Sequence, residues 1–185
     1  MQVNFWLLDI NYEVKNHEPE IWLWGIEDSG KRVLIIDRGF ESYFYAVLKE
    51  GVNPSKIVEF IENRIEAFPF ISKIEPLERK LFGKPVKALR IHCKDPEMIS
   101  KYARSIEKID GVKECLEDDI RYSMRYMIDK EVVPCGWHTV EAKIAEVDER
   151  PDVQVDEVYV ALSSPIFVEK KETPNLRILG FSIIC

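Results

Sequence analysis

Residues 81–130, LFGKPVKALRIHCKDPEMISKYARSIEKIDGVKECLEDDIRYSMRYMIDK, read as a strand, a capped helix, a second strand and a basic-aromatic helix, and that order decides the fold. From Val86 to Cys93 the chain alternates, with Val86, Ala88 and Arg90 on one face and Leu89, Ile91 and Cys93 on the other, the period of two that a strand imposes. Asp95-Pro96 stops it. An Asp carboxylate accepts a bond from an orphan backbone N–H, and Pro in the first helical turn gives up a donor that has no partner there, so a helix is expected over Pro96 to Lys108. Ile99, Tyr102, Ala103 and Ile106 form its apolar stripe, and Asp110-Gly111 turns the chain into a strand over Val112 to Leu116.

The same grammar occurs once upstream. Tyr43 to Lys49 reads as a strand, Asn53-Pro54 opens a helix with Ile57, Val58, Ile61 and Ile65 at helical spacing, and Ile71 to Leu81 reads as a strand. From Tyr43 the order is therefore β-α-β-β-α-β. Before it, Val3 to Asn11, Glu20 to Glu27 and Lys31 to Asp37 form an antiparallel meander. After it, composition shifts at Val133-Pro134, and Thr139 to Val147 with Gln154 to Ser163 read as two arms of a hairpin. Residues 176–185, LRILGFSIIC, have the apolar run of a buried central strand. The expected class is α+β: a meander, then a ferredoxin-like unit, in a domain over residues 1–134, followed by a truncated one over 135–185. Lacking neighbours for its last strand, the 135–185 segment is expected to be only partly supported and the chain to be a fragment.

Composition narrows the function. The formal charge of −7 is uneven, because residues 79–130 hold thirteen Lys or Arg against nine Asp or Glu. A basic face on an acidic chain confines polyanion contact to one side. No apolar stretch is long enough for a membrane span and no secretory signal opens the chain, so a cytoplasmic location is expected. Cys93, Cys115, Cys135 and Cys185 lack paired spacing, the three histidines stand apart and no glycine-rich phosphate loop is present. No metal site and no catalytic group are expected.

Within Asp119 to Asp129, Arg121 and Arg125 lie four apart with Tyr122 and Tyr126 between them, a pattern that suits bases and phosphates and equally suits plain packing. RNA-recognition modules share the β-α-β-β-α-β order. Val86 to Arg90, however, offers no stacking ring.

Four ordered segments carry a resemblance. Leu7 to Tyr12 (LLDINY), Asp37 to Ala46 (DRGFESYFYA), Phe82-Gly83-Lys84-Pro85 and Asp119 to Asp129 (DIRYSMRYMID) together resemble the N-terminal part of archaeal family B DNA polymerases. The resemblance implies an N-terminal, template-contacting domain followed by the start of a ribonuclease H-like 3′ to 5′ exonuclease domain. It also implies a pocket for deaminated template bases, uracil in archaeal members, at Tyr12, Ser42, Tyr43, Pro96, Ile99, Ile120, Tyr122 and Arg125. Arg121 and Arg125 would face the nucleic-acid backbone. Ser42 stands where the family has Pro, Ile99 where it has Val, and Tyr122 where it has Phe. The first exonuclease motif aligns with Phe181 to Cys185, where Ser182 and Ile184 replace two carboxylates; the fragment itself is expected to be non-catalytic, with Mg needed only by a full-length enzyme. The implied partners are single-stranded template DNA or RNA and the remainder of a polymerase chain. Two alternatives stand beside this: an independent single-stranded RNA- or DNA-binding module, and a structural or regulatory subunit derived from an inactivated polymerase.

Overall fold

The structure, a computed structural model, describes residues 1–183, so the Ile184 position of the exonuclease motif lies outside the described residues. In chain order the elements are β1 (Gln2–Lys15), β2 (Glu18–Glu27), β3 (Arg32–Arg38), β4 (Ser42–Leu48), α1 (Pro54–Glu62), β5 (Ile71–Leu81), β6 (Lys84–Cys93), α2 (Ile99–Ile106), β7 (Val112–Leu116), α3 (Tyr122–Asp129), β8 (Trp137–Ile144), β9 (Glu157–Ala161) and β10 (Ile166–Val168). They form two compact units. One comprises residues 1–11, 22–37 and 129 onward, the other residues 12–21 and 38–128.

The first unit is a barrel. Its strand order is β1-β2-β3-β9-β8-β10, and β8 pairs again with residues 2–6 of β1, closing a ring of five strands. β3 and β9 run parallel, from Val33 opposite Glu157 to Ile36 opposite Val160. A five-stranded barrel with this order is the OB arrangement. The β3 residues Val33, Leu34, Ile35 and Ile36 are all buried, the unbroken apolar run expected of a strand covered on both faces. Trp22, Leu34, Ile36, Ala145, Val158 and Val160 form one cluster of its core.

This pairing corrects the expectation for residues 135–185. A boundary at 134/135 does not separate the units, because β8 and β9 find their neighbours in β1 and β3 at the start of the chain. The 137–161 stretch is therefore supported within this unit, and it opens on the buried Trp137 and His138. The central strand expected over 176–185 does not form among the described residues. Ile178, Leu179, Phe181 and Ile183 are each at least 80% exposed.

The second unit is the β-α-β-β-α-β unit. Its sheet order is β5-β6-β4-β7 with every neighbour antiparallel. Alternation assigns Phe44, Ala46, Leu89, Ile91 and Cys93 to the face beneath the helices, where they meet Ile57, Ile61, Ile99, Tyr102 and Ile106. Asn53 caps α1 by accepting from the Ser55 N–H. Asp95 accepts from the Glu97 N–H at 2.9 Å, but the turn it opens, Pro96–Met98, is 3-10, and α2 begins only at Ile99. Gly111 sits at φ +101, and a Cβ there would lie 2.9 Å from Ile57 Cδ1, so the turn into β7 requires glycine. The tip of the β1–β2 hairpin, Asn16 and His17, has both residues at positive φ, as a two-residue type I′ turn requires. Among the described residues no helix is long and apolar enough to cross a membrane.

His138 supplies a pH test of the first unit. The ring is buried, accepts the Val133 N–H at Nε2 (3.2 Å) and lies 3.0 Å from the Gly136 carbonyl through Nδ1, which fits a neutral imidazole donating from Nδ1. Burial lowers its pKa below the ordinary 6.5. The unfolded chain then binds the extra proton, so this contribution is complete above about pH 6.5 and is lost as pH falls below it. Urea midpoints measured from pH 8 to 5 are expected to fall below pH 6.5 with a slope of at most about 1.4 kcal/mol per pH unit from this group, and His138→Gln should flatten it.

Candidate nucleic-acid interface

The eight residues assigned to a base pocket all fall in the second unit. Tyr12 comes from the later part of β1, Ser42 and Tyr43 from the start of β4, Pro96 and Ile99 from the turn and helix after β6, Ile120 from the loop before α3, and Tyr122 and Arg125 from α3 itself. Four of them, Tyr12, Tyr43, Tyr122 and Arg125, meet around Phe40 and the start of α3 in aromatic and polar contacts. The Tyr12 and Tyr122 rings meet edge to face with centroids 5.4 Å apart, and the Tyr122 hydroxyl donates to the Phe40 carbonyl at 2.5 Å. Phe40 packs on both Tyr122 and Tyr126, which fixes the strand entrance at Ser42. The Arg125 guanidinium lies 4.3 Å from the Tyr43 ring centroid and donates to the Tyr43 hydroxyl at 3.3 Å. Ser100 ties the rest in, since its hydroxyl donates to the Asp118 carbonyl at 2.9 Å and so links α2, next to Ile99, with the loop that carries Ile120.

Burial distinguishes these positions. Ile99 is 4% exposed and packs with the core beneath the sheet, in company with Phe44, Cys93 and Tyr102, and Ser42 is equally buried. Ile120, Pro96, Tyr12 and Tyr43 are half-buried. Of the two arginines assigned to the nucleic-acid backbone, Arg121 is exposed, whereas Arg125 is 3% exposed and pairs with Glu117 at 2.7 Å. A phosphate contact from Arg125 would require that carboxylate to be exchanged. Its present geometry orients Tyr43.

The face of the sheet opposite the helices supplies the rings that β6 lacks. Tyr43 stands across from His92 and Tyr45 across from Arg90, so aromatic and basic side chains interleave on the two central strands. Tyr43 contacts both Tyr45 and His92, with centroids 5.6 and 5.4 Å apart, and Arg90 lies 5.3 Å from the Tyr43 centroid. Glu75 on β5 accepts from Lys73 at 2.5 Å and lies 2.9 Å from His92 Nε2, and these two bonds, Lys73 first, bring its carboxyl down to about 2. The carboxylate thus stays ionised beside the rings. The signal for this face was the alternation of Tyr43 and Tyr45 in β4, which becomes informative once β6 is known to lie beside it.

No three His, Cys, Asp or Glu side chains converge on a metal-sized site among the described residues. Ser182, which the resemblance sets at the first exonuclease carboxylate, is an exposed neutral hydroxyl. A divalent cation of the exonuclease type needs anionic oxygens, so this position does not fit it.

Comparison with known proteins agrees with this architecture. Residues 114–185 match the family described as DNA polymerase family B, exonuclease domain. The solved structure of the family B DNA polymerase of Pyrobaculum calidifontis superposes with a TM-score of 0.74 at 34% identity, over 94% of this chain and 21% of that one. DNA polymerase 3 of Saccharolobus solfataricus is 34% identical over 177 residues, 96% of this chain and 22% of the relative, and DNA polymerase 2 of Aeropyrum pernix is 30% identical over 186 residues, 98% of this chain and 23% of the relative. The fold is thus the mixed α+β arrangement of the N-terminal and exonuclease region of these enzymes. By sequence and by fold the chain is homologous to the N-terminal region of archaeal family B DNA polymerases, and it spans about a fifth of the length of the relatives named.

The contrast between the two arginines is measurable. Arg125→Ala removes a buried cation, its bond to Glu117 and its stacking on Tyr43, and is expected to destabilise the second unit by about 2–4 kcal/mol in urea denaturation. Arg121→Ala, at an exposed position, should stay within about 0.5 kcal/mol.

Proposed function

We propose that this chain is the template-side portion of a family B DNA polymerase, contacting a single strand ahead of the remainder of the enzyme and favouring uracil over thymine at the cluster around Tyr43. The single observation that carries the reading is the meeting of Tyr12 and Phe40 with Tyr122, and of Tyr43 with Arg125 on the same helix, side chains drawn from three separate parts of the chain and gathered at the entrance of the central strand β4. Aromatic rings give stacking surfaces, the half-buried wall of Ile120 and Pro96 is apolar, and the backbone N–H groups near Tyr43 and Ile120 are of the kind that pairs with a base edge. A closely fitted apolar wall excludes the C5 methyl of thymine.

A methyl group in such a pocket is worth about 1–3 kcal/mol, or roughly tenfold to two-hundredfold. Fluorescence anisotropy with a single-stranded oligonucleotide holding one uracil, against the same strand holding thymine, is expected to show tighter uracil binding in that range. Ile99→Val shortens a core residue beneath the sheet by one methylene without introducing charge, next to Ser100 and the loop it ties to Ile120, and is expected to change the ratio through that loop. Ile99→Arg would instead place a charge in the helical core and unfold the unit, which a thermal melt would reveal. Equal affinities for the two strands at low and moderate salt remove base sensing.

The substitution at Ser182 supports a non-catalytic segment. Incubation of the chain with a 3′ single strand and Mg is expected to leave the strand intact, and degradation that follows the protein through repurification is the contrary result.

A further inference from the structure

The β5–β6 hairpin ends on a feature that the fold does not explain. Phe82 is 97% exposed, and it occupies a left-handed backbone position at φ +48 beside Gly83 at φ +80. Asn, Asp or Gly serve such a turn without strain, while a bulky aromatic residue at positive φ is disfavoured and, here, gains no packing in return. A phenyl ring set at the apex of a two-stranded ribbon is placed for contact with something outside this chain.

Charge identifies the chemistry of that contact. Arg79, Lys80, Lys84 and Lys87 lie within five residues of the ring, all are exposed, and none of the four forms an ion pair among the described residues. Lys84 pairs across the ribbon with Leu81 and Lys80 with Pro85, so a cation stands on each face of the arm near its tip, while Lys87 stands opposite Glu78. Lys84 and Lys87 also line a cleft of about 660 Å³ together with Lys49 and Lys113, against Glu50 and Glu78. Lys49 and Lys113 are held there by exposed bonds to Asp110 (3.1 Å) and Glu114 (3.0 Å), pairs that a phosphate can replace at little expense. An exposed ring flanked by unpaired cations fits one occupant well: a single nucleic-acid strand, with a base on the ring and phosphates on the lysines.

We infer that the β5–β6 arm is a second single-strand contact, in which Phe82 stacks on an unpaired base while Lys84 and Lys87, with Lys113, hold the adjoining phosphates. The arm reads no base identity, because stacking accepts any base. This deepens the proposed function by adding a contact that does not depend on uracil, and it shares with that reading only the class of ligand.

The test uses the 185-residue chain and a fluorescein-labelled dT20 strand, titrated by anisotropy over a series of salt concentrations. Phe82→Ala is expected to weaken binding about fivefold to hundredfold with the salt slope unchanged. The Lys84→Gln, Lys87→Gln double variant is expected to reduce the slope of log K against log salt by about 1.4, at about 0.7 per lost phosphate contact. Phe82→Trp should bind like the parent and show quenching of its added fluorescence by the strand. These residues are exposed, so the variants fold, and a thermal melt confirms it. Unchanged dT20 affinity in Phe82→Ala, an unchanged slope in the lysine variant, or no binding of dT20 by the parent at low salt each overturns the inference. A retained uracil preference with an inert Phe82 would overturn only the arm, and equal uracil and thymine binding with an active Phe82 would overturn only the base sensing.

Discussion

The β3–β9 ladder and the β8–β1 pairing are the constraint on which the first unit depends. Val33 to Ile36 run without a polar position, and a strand of that kind is stable only when both neighbours and both faces are supplied. β2 supplies one edge from nearby in the chain. The other comes from Glu157 to Val160, which follow the second unit's residues in the sequence, and the ring then closes through residues 137–141 on residues 2–6. Without those distant strands the first three would present an apolar sheet with an unpaired edge to water, an aggregation hazard rather than a fold.

The second unit is held by local rules, and these are legible from the sequence. Asn53-Pro54 and Asp95-Pro96 are both used as helix starts, the two helices bury the stripes that the spacing indicates, and the strand order follows from the β-α-β-β-α-β pattern. Even here the detail differs, because Asp95 opens a 3-10 turn before α2 while its other carboxylate oxygen lies 2.5 Å from His17 of the hairpin tip. That partner was not readable, since Asn16-His17 lacks the glycine that advertises a type I′ turn.

What sequence could not give was everything set by non-local pairing. Thr139 to Val147 and Gln154 to Ser163 do pair with each other, yet their second edges belong to the first strands, and alternation alone carries no information about which distant strand lies beside a given one. The same limit applies to the candidate site. Arg125, whose spacing from Arg121 suits nucleic-acid contact and packing equally, is buried against Tyr43 and Glu117, and the stacking rings absent from β6 stand on β4. The homology to polymerase N-terminal regions supplied the grouping of Tyr12, Tyr43 and Tyr122 that composition and period left unconnected.

The closed barrel also dictates an order of events as the chain emerges during synthesis. The second unit needs only residues 12–21 and the contiguous run 38–128, and both are available before any of β8 or β9 exists. The barrel cannot close until residue 161 has been made, and it must then bring together segments at opposite ends of a long intervening stretch, the kind of pairing that loop entropy makes slow. The inserted unit shortens that search by folding first, because it replaces a long flexible connection with a compact body. Until then the strands β1 to β3 wait with Leu34 and Ile36 uncovered, and this nascent sheet is the part of the molecule for which a chaperone has most to shield.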